Sequence, residues 1–317
     1  GQSEAKLIFD DVLPLRDPDA IPTVPPAEDR LLAAASPTLF NLQAGMPAKI
    51  QANLAAPEIR TMSRAFIIGK SHTATGSPIA LQATADGPTI HLSGAGINTA
   101  GWYLPPFGPL LMGRSYTHAF QMTAPVTDVI DIFVEKINPD NSRQYWFNGA
   151  WRDMEIRRHV IQVKNAAPVE FEQEVTVHGP VTSRPDARSA YAMKSALRGA
   201  EFTGWAAQID SNRATDFASY KAATYRNPVN FNHFYTGEDG TLAYFHIGRV
   251  PIRADGLDPR LPTPGTGEYE WKGFVPPEDM PQIINPKQDY LFNWNTKASL
   301  NWPDGDGPRF GATHRAW

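Results

Sequence analysis

The sequence predicts an α+β protein dominated by antiparallel strands, and three observations carry that expectation. From residue 63 onward, short apolar runs of about 4–8 residues recur, the length of strands rather than of helices. Some alternate strictly, as in Val169–Val177, where Glu170, Glu172 and Glu174 take the outward positions of a strand with one wet face. Tight turn signals separate the runs: Asn148-Gly149 and Gly237-Glu238-Asp239-Gly240 each lie between two strand-like segments.

Taken in order, residues 1–62 differ in texture from the rest of the chain. Phe9-Asp10-Asp11-Val12-Leu13 leads into the proline-studded stretch Asp17–Pro26. Proline fixes its own φ and drives the preceding residue out of the α region, so this stretch is extended. A short helix is expected over Glu28–Ala35, followed by a weakly periodic segment rich in Ala, Pro, Asn and Gln. Two readings of this region stay open: a linker hugging the surface, or a pro-segment lying across a site.

Strands are expected next at Arg64–Gly69, Pro78–Ala83, Thr89–Leu92, Leu110–Met112, His118–Met122 and Val129–Lys136. Further strands are expected about the Asn148-Gly149 turn, over Arg157–Lys164 and Val169–Val177, and at Phe231–Tyr235, Leu242–Ile247 and Tyr290–Trp294. Helices are expected at Ser189–Arg198 and Ala214–Thr224, and a long loop over Leu257–Trp271. There is no internal repeat.

Composition excludes several function classes. The 317 residues suffice for one large domain or two medium ones, and 42% hydrophobic with 20% charged is ordinary for a globular chain. A net charge of −4 leaves no basic footprint for nucleic acid. The absence of cysteine excludes disulfides, thiolate metal sites and a cysteine nucleophile. No apolar run approaches the roughly 18–20 residues of a membrane span. The opening Gly1-Gln2-Ser3-Glu4 does not read as a signal peptide, which leaves open one that was removed or that precedes this sequence. Nucleophile-elbow, zincin, P-loop and dinucleotide motifs are all missing. The eight histidines show no ligand spacing, and His178, at a strand end, reads as buried and hydrogen-bonded.

The stretch on which a function hinges is Ser63-Arg64-Ala65-Phe66-Ile67-Ile68-Gly69-Lys70-Ser71, a serine at the mouth of a buried strand. It resembles the start of the catalytic β-subunit of the penicillin acylases, a family of N-terminal-nucleophile hydrolases. The likeness continues through Gly94-Ala95-Gly96, Pro109–Gly113, the acidic strand Asp128–Glu135 and Val175–Val181. Its most specific part is Asp258–Gly267, followed by Glu270-Trp271-Lys272-Gly273 and Asn293-Trp294-Asn295. Residues 63–317 carry the resemblance, and Asp17–Pro25 is similar to the end of the family's α-subunit.

What the resemblance implies is specific. The fold would be a four-layer αββα sandwich of largely antiparallel strands, here a section of a longer precursor. Residues 1–62 would be the end of the α-subunit and a spacer, and 63–317 the N-terminal part of the β-subunit. Autoproteolysis before Ser63 would free an N-terminal serine whose α-amine, with an unperturbed pKa of about 7.7–8.0, serves as its own base. The oxyanion donors would be the backbone N–H of Ala124 and the amide of Asn295, with Asn293 as the alternative, and Arg315 would orient the amine. Met112, Met122 and Val126 fall at acyl-pocket positions, and equally read as core. A structural calcium would be held by Asp128, the Ile130 carbonyl, Asp131, the Pro259 carbonyl and Asp306, with Asp304 competing for the last place. The family's usual Gln or His after the second strand is missing from Ala83–Thr89.

The implied function is hydrolysis of a small N-acyl amide, such as a β-lactam or an acyl-homoserine lactone, in a periplasmic or secreted protein. Its partners would be the α-subunit and the rest of the β-subunit of the same precursor. The alternative is a calcium-stabilised binding protein that keeps the fold without catalysis.

Overall fold

A computed structural model describes residues 22–28, 63–83, 87–103, 108–125, 127–300 and 302. Most of the pro-segment, all but the first residue of the helix expected over Glu28–Ala35, and Val126, Asp304, Asp306 and Arg315 lie outside the described residues. The described residues divide into two units, one built from Asp128–Arg198 and Val250–Phe274, the other, larger, from those before Asp128, Gly199–Arg249 and those after Phe274.

The larger unit begins with β1 (Arg64–Ile68) and β2 (Ile79–Ala83). Alternation buries Ala65 and Ile67 on one face of β1, as the apolar run requires. Four more strands come next: β3 (Thr89–Gly94), β4 (Ile97–Trp102), β5 (Met112–Arg114) and β6 (His118–Thr123).

The chain then builds the smaller unit from β7 (Ile130–Asn138), β8 (Asn141–Phe147), β9 (Ala150–Asp153), β10 (Glu155–Ile161), β11 (Val169–Val175), β12 (Val181–Asp186) and β13 (Ser189–Ser195). Asn148 and Gly149 both have positive φ, 49° and 81°, as the type I′ turn between β8 and β9 demands. The smaller unit's main sheet has the order β12-β13-β7-β8-β9, and β10 and β11 form a separate hairpin.

Back in the larger unit come α1 (Glu201–Arg213), α2 (Phe217–Tyr225), β14 (Phe231–Gly237) and β15 (Leu242–Ile247). A two-residue strand, β16 (Thr263–Pro264), pairs parallel to β7 in the smaller unit. The larger unit closes with β17 (Gln282–Ile284) and β18 (Tyr290–Asn293). Its strands form a seven-stranded antiparallel sheet, β17-β15-β14-β6-β5-β4-β3, and a three-stranded one, β18-β1-β2. The two sheets pack on each other, and α1 and α2 cover the far face of the larger sheet. Leu110, Phe120, Tyr220, Tyr235, Phe245 and Ile247 fill the space under these helices. Among the described residues the larger unit thus shows three of the layers of an αββα sandwich, helix on sheet on sheet.

One expectation about helices needs correction, and one helix was not foreseen. Ser189–Arg198 is not a helix; Ser189–Ser195 is β13, paired along its length with β7. Its Ala, Met and Lys residues favour helix, but Ala190 and Ala192 are wholly buried against the neighbouring strands, and tertiary pairing overrides propensity. Helix α1 gave no apolar stripe because its buried face, Gly204, Ala207, Gln208, Ser211 and Asn212, is small and polar. Gln208 and Asn212 donate to the Leu110 carbonyl at 2.9 and 3.0 Å, and Asn212 Oδ1 accepts from the Leu110 N–H at 2.7 Å. A Cβ on Gly204 would lie 2.7 Å from Val229 Cγ2, so a larger residue there would force Val229 or the helix to shift. No helix of the described residues is long and apolar enough to cross a membrane.

His178 is buried and hydrogen-bonded, as its place at a strand end implied. Its ring stacks on Phe133 at 4.0 Å, with Nδ1 at 2.8 Å from Glu135 and Nε2 at 2.6 Å from Glu270. Burial alone would lower its pKa, but the two carboxylates outweigh it and raise the value. In the larger unit the balance is opposite: burial lowers His118 to about 4, and His233 and His246 to about 3.

These three histidines set a pH dependence. Each stays neutral in the fold but takes a proton in the unfolded chain below about 6.5, so acid favours unfolding. Thermal midpoints are therefore expected to fall steadily as pH drops from about 6.5 towards 4. His178 contributes with the opposite sign: its stabilisation is present below its unfolded pKa and fades as pH rises through the raised one. Melting curves across this range check the balance, and a midpoint that rises on acidification would contradict it.

Candidate active site

Ser63 precedes β1, the central strand of the three-stranded sheet, and so stands where that sheet meets β6. Two N–H donors converge on its oxygen. The backbone N–H of Ala124, one residue beyond β6, lies 3.3 Å from Ser63 Oγ, and Asn295 Nδ2 lies 3.1 Å from it. The same Asn295 amide nitrogen donates to the Ala124 carbonyl at 3.0 Å. That carbonyl can only accept, so the contact fixes which end of the Asn295 amide faces the serine.

Asn295 sits in the left-handed region, with φ of 60°, a conformation that asparagine tolerates better than most residues. Asn293 holds it there through an Asx turn, its Oδ1 accepting the Asn295 N–H at 2.8 Å. Asn293 Oδ1 also accepts from Thr123 Oγ1 at 2.6 Å. Its amide nitrogen donates to Thr23 and Thr296, at 2.7 and 3.2 Å. Of the two asparagines left open by the sequence, Asn295 reaches Ser63 and Asn293 supports it.

Behind Ala124 runs a directional hydrogen-bond chain that sequence reasoning did not find. Asn232 Nδ2 donates to Thr123 Oγ1 at 3.0 Å and to the Ala124 carbonyl at 3.3 Å. Asn232 Oδ1 accepts from Tyr244 OH and from His246 Nδ1, both at 2.8 Å. His246 Nε2 then accepts from Thr127 Oγ1 at 2.6 Å, and Trp302 Nε1 donates to that hydroxyl at 3.2 Å. With its pKa lowered to about 3 by burial, His246 is neutral and fixed in the Nδ1–H tautomer. Such a chain gives the Ala124 peptide little freedom to turn.

Met112 and Met122 lie on opposite faces of the seven-stranded sheet. Phe120 and Met122 lie on one face of β6, and Phe120 pairs with Gly113, which puts Met112 on the opposite face of the sheet. Both side chains are buried. A one-residue phase decides the face of a strand residue, and the sequence carried no signal for it at β5.

Of the residues assigned to calcium, Asp128 and Asp131 come together in the smaller unit, but around an arginine. Arg253 Nη2 donates to Asp128 Oδ2 at 2.6 Å and Arg253 Nε to Asp131 Oδ2 at 2.9 Å. Trp271 Nε1 donates to Asp131 Oδ2 at 2.6 Å, and Asp128 Oδ1 accepts the Ile130 N–H at 3.2 Å. Both carboxylates are 5% exposed and already face a cation and N–H donors. This donor set does not fit an all-oxygen calcium shell. Among the described residues, no group of three or more acidic or histidine side chains is placed to hold a metal.

The larger unit's helix-on-sheet-on-sheet arrangement, with a serine at the mouth of a central strand, defines an N-terminal-nucleophile hydrolase fold. It matches a thermostable penicillin G acylase from Alcaligenes faecalis with a TM-score of 0.72 and 31% identity, over 77% of this chain and 46% of that one. Penicillin G acylase of Escherichia coli is 31% identical over 254 residues, 78% of this chain and 30% of that protein. The penicillin acylase 2 proenzyme of Pseudomonas sp. (strain SE83) is 30% identical over 192 residues, 57% of this chain and 23% of that protein. The family model for penicillin amidase matches residues 12–317. The chain therefore belongs to the penicillin amidase family, and it spans less than a third of the length of these two curated relatives.

The Arg253 clamp yields a direct test. Chelation with EGTA is expected to leave the thermal midpoint unchanged, whereas Arg253→Ala removes the cation that faces two buried carboxylates, a loss of about 3–5 kcal/mol. A midpoint that falls on chelation and returns with added calcium would mean that an ion displaces Arg253.

Proposed function

We propose that the chain carries the catalytic serine of an amide hydrolase that removes the acyl group from a small N-acyl substrate. The observation that carries this reading is the convergence of the Ala124 N–H and the Asn295 amide on Ser63 Oγ. Two preorganised donors, one backbone and one non-titrating side chain, are what a developing oxyanion needs. Membership of the penicillin amidase family supports it, as does the name proenzyme borne by the Pseudomonas relative.

In the continuous chain the nitrogen of Ser63 is an amide and cannot act as a base. Cleavage between Met62 and Ser63 would free it as an amine with a pKa of about 7.7–8.0. The amine then takes the hydroxyl proton as Oγ attacks the acyl carbonyl, and the resulting oxyanion accepts the two N–H donors. Collapse breaks the carbon–nitrogen bond, and the ammonium of Ser63 returns its proton to the leaving amine. Water repeats the sequence on the acyl-enzyme, with the amine again as base. Arg315 is assigned the orientation of that amine and of Asn295. The substrate class is a β-lactam or acyl-homoserine lactone with an apolar acyl group, and the working enzyme includes the α-subunit and the remaining β-subunit of an exported precursor.

With the full-length protein and a chromogenic phenylacetyl amide, Ser63→Ala should abolish turnover. Asn295→Ala should lower kcat by about 10²–10³-fold with little change in KM. The acid limb of kcat/KM should follow one ionisation at or below about 8, because the amine works only when neutral. Equal kcat in Asn295→Ala and wild type would remove the oxyanion role.

A further inference from the structure

The segment Pro22–Glu28, upstream of the proposed cleavage point, is built into the site. Thr23 and Val24 are buried, at 5% and 1% exposure. The Thr23 N–H donates to the Lys297 carbonyl at 2.9 Å and the Val24 N–H to the Ala298 carbonyl at 3.0 Å, so the segment runs along the loop beyond Asn295. The Thr23 hydroxyl donates to the same Lys297 carbonyl at 3.2 Å and accepts from Asn293 Nδ2 at 2.7 Å.

Asn293 is the side chain through which both donors of the site are tied. Its Oδ1 takes the Asn295 N–H and the hydroxyl of Thr123, the residue before Ala124. The orientation of that oxygen depends on where the amide nitrogen is held. One of the two N–H groups of Nδ2 points to Thr23 Oγ1 at 2.7 Å, and the other to Thr296, at 3.2 Å from its carbonyl and 3.3 Å from its hydroxyl. Thr23 makes the shortest of these contacts. Loss of its hydroxyl would leave a buried N–H without a partner, and such a group rotates or draws in water rather than stay unpaired.

We propose that Thr23 is a positioning residue of the active site. Its hydroxyl fixes the Asn293 amide, which in turn sets Asn295 and Thr123-Ala124 at the distances seen around Ser63. The piece of chain removed from Ser63 by cleavage must then stay seated, because it completes the support of the oxyanion donors. This rests on the amidase reading for its kinetic consequence, and on geometry alone for its structural one.

The test uses the full-length protein with Thr23→Val, which keeps the shape and removes the hydroxyl, and Thr23→Ser, which keeps the hydroxyl. A donor displaced by a fraction of an ångström costs on the order of 10–100-fold, and that fall is expected in kcat for Thr23→Val, with KM within about twofold. Thr23→Ser is expected to recover kcat to within about threefold of wild type. Crystal structures supply the second arm: in Thr23→Val the Asn293 amide should turn and Asn295 Nδ2 move from Ser63 Oγ by about 0.5 Å or more, the tolerance of a preorganised site. Unchanged kcat in Thr23→Val, or an unmoved Asn293–Asn295 pair, overturns the proposal. Should wild type itself fail to turn over phenylacetyl amides, the amidase reading falls, and the crystallographic arm alone decides the role of Thr23.

Discussion

The larger unit depends on how one serine oxygen is held between two N–H donors that come from opposite ends of the fold. Ala124 arrives at the end of β6, in the seven-stranded sheet, and Asn295 just after β18, in the three-stranded sheet. Ser63 itself enters β1, which hydrogen-bonds to β18 with Ala65 opposite Asn293. The three groups meet only because the two sheets pack with this register. Sliding β18 by one residue would turn Asn293 to the other face and separate the donors.

Such a site buries many polar groups, and the fold joins them in hydrogen-bonded chains. Thr123, Asn232, Tyr244, His246, Thr127 and Trp302 form one directional chain behind Ala124, and Thr123 joins it to a second chain, Thr23, Asn293 and Thr296, behind Asn295. An unpaired buried amide costs about 1–3 kcal/mol, so each chain resists rearrangement by any single member. The histidine in the first chain is neutral, which keeps a charge out of the low-dielectric space behind the oxyanion donors. The smaller unit obeys a different rule, setting cations against its carboxylates: Arg253 across the buried Asp128 and Asp131, and Lys194 at the half-buried Glu270.

Much of this was legible in the sequence, and the parts that were not have identifiable reasons. Period-two alternation and the Asn148-Gly149 turn located the strands, but the single wet face expected of Val169–Val177 was wrong. In the β10–β11 hairpin Val169 and Phe171 are exposed like the glutamates between them, because no layer of the described residues covers that face. The serine at the mouth of β1 and the Asn-Trp-Asn run were readable as motifs. Helix α1 was hidden because its buried face is polar, and β13 was misread because its alanines pack a strand while favouring a helix. Thr23, Asn232 and Arg253 gave no local signal at all. Their roles arise from contacts across 270, 109 and 122 residues of sequence, and nothing within one element of such a residue records the partner. Met112 and Met122 show a finer limit: both are buried, as the core reading allowed, but their places on opposite faces of the sheet left no local trace.

On the proposed reading, Ser63 is armed only by losing its peptide bond to Met62. The most direct measurement is the intact mass, with N-terminal sequencing, of the purified full-length protein beside its Ser63→Ala variant. The expected result is a chain beginning at Ser63 in the first sample and an unbroken Met62–Ser63 bond in the second. An unbroken bond in both, or a break that persists without the serine hydroxyl, would contradict arming by the serine itself.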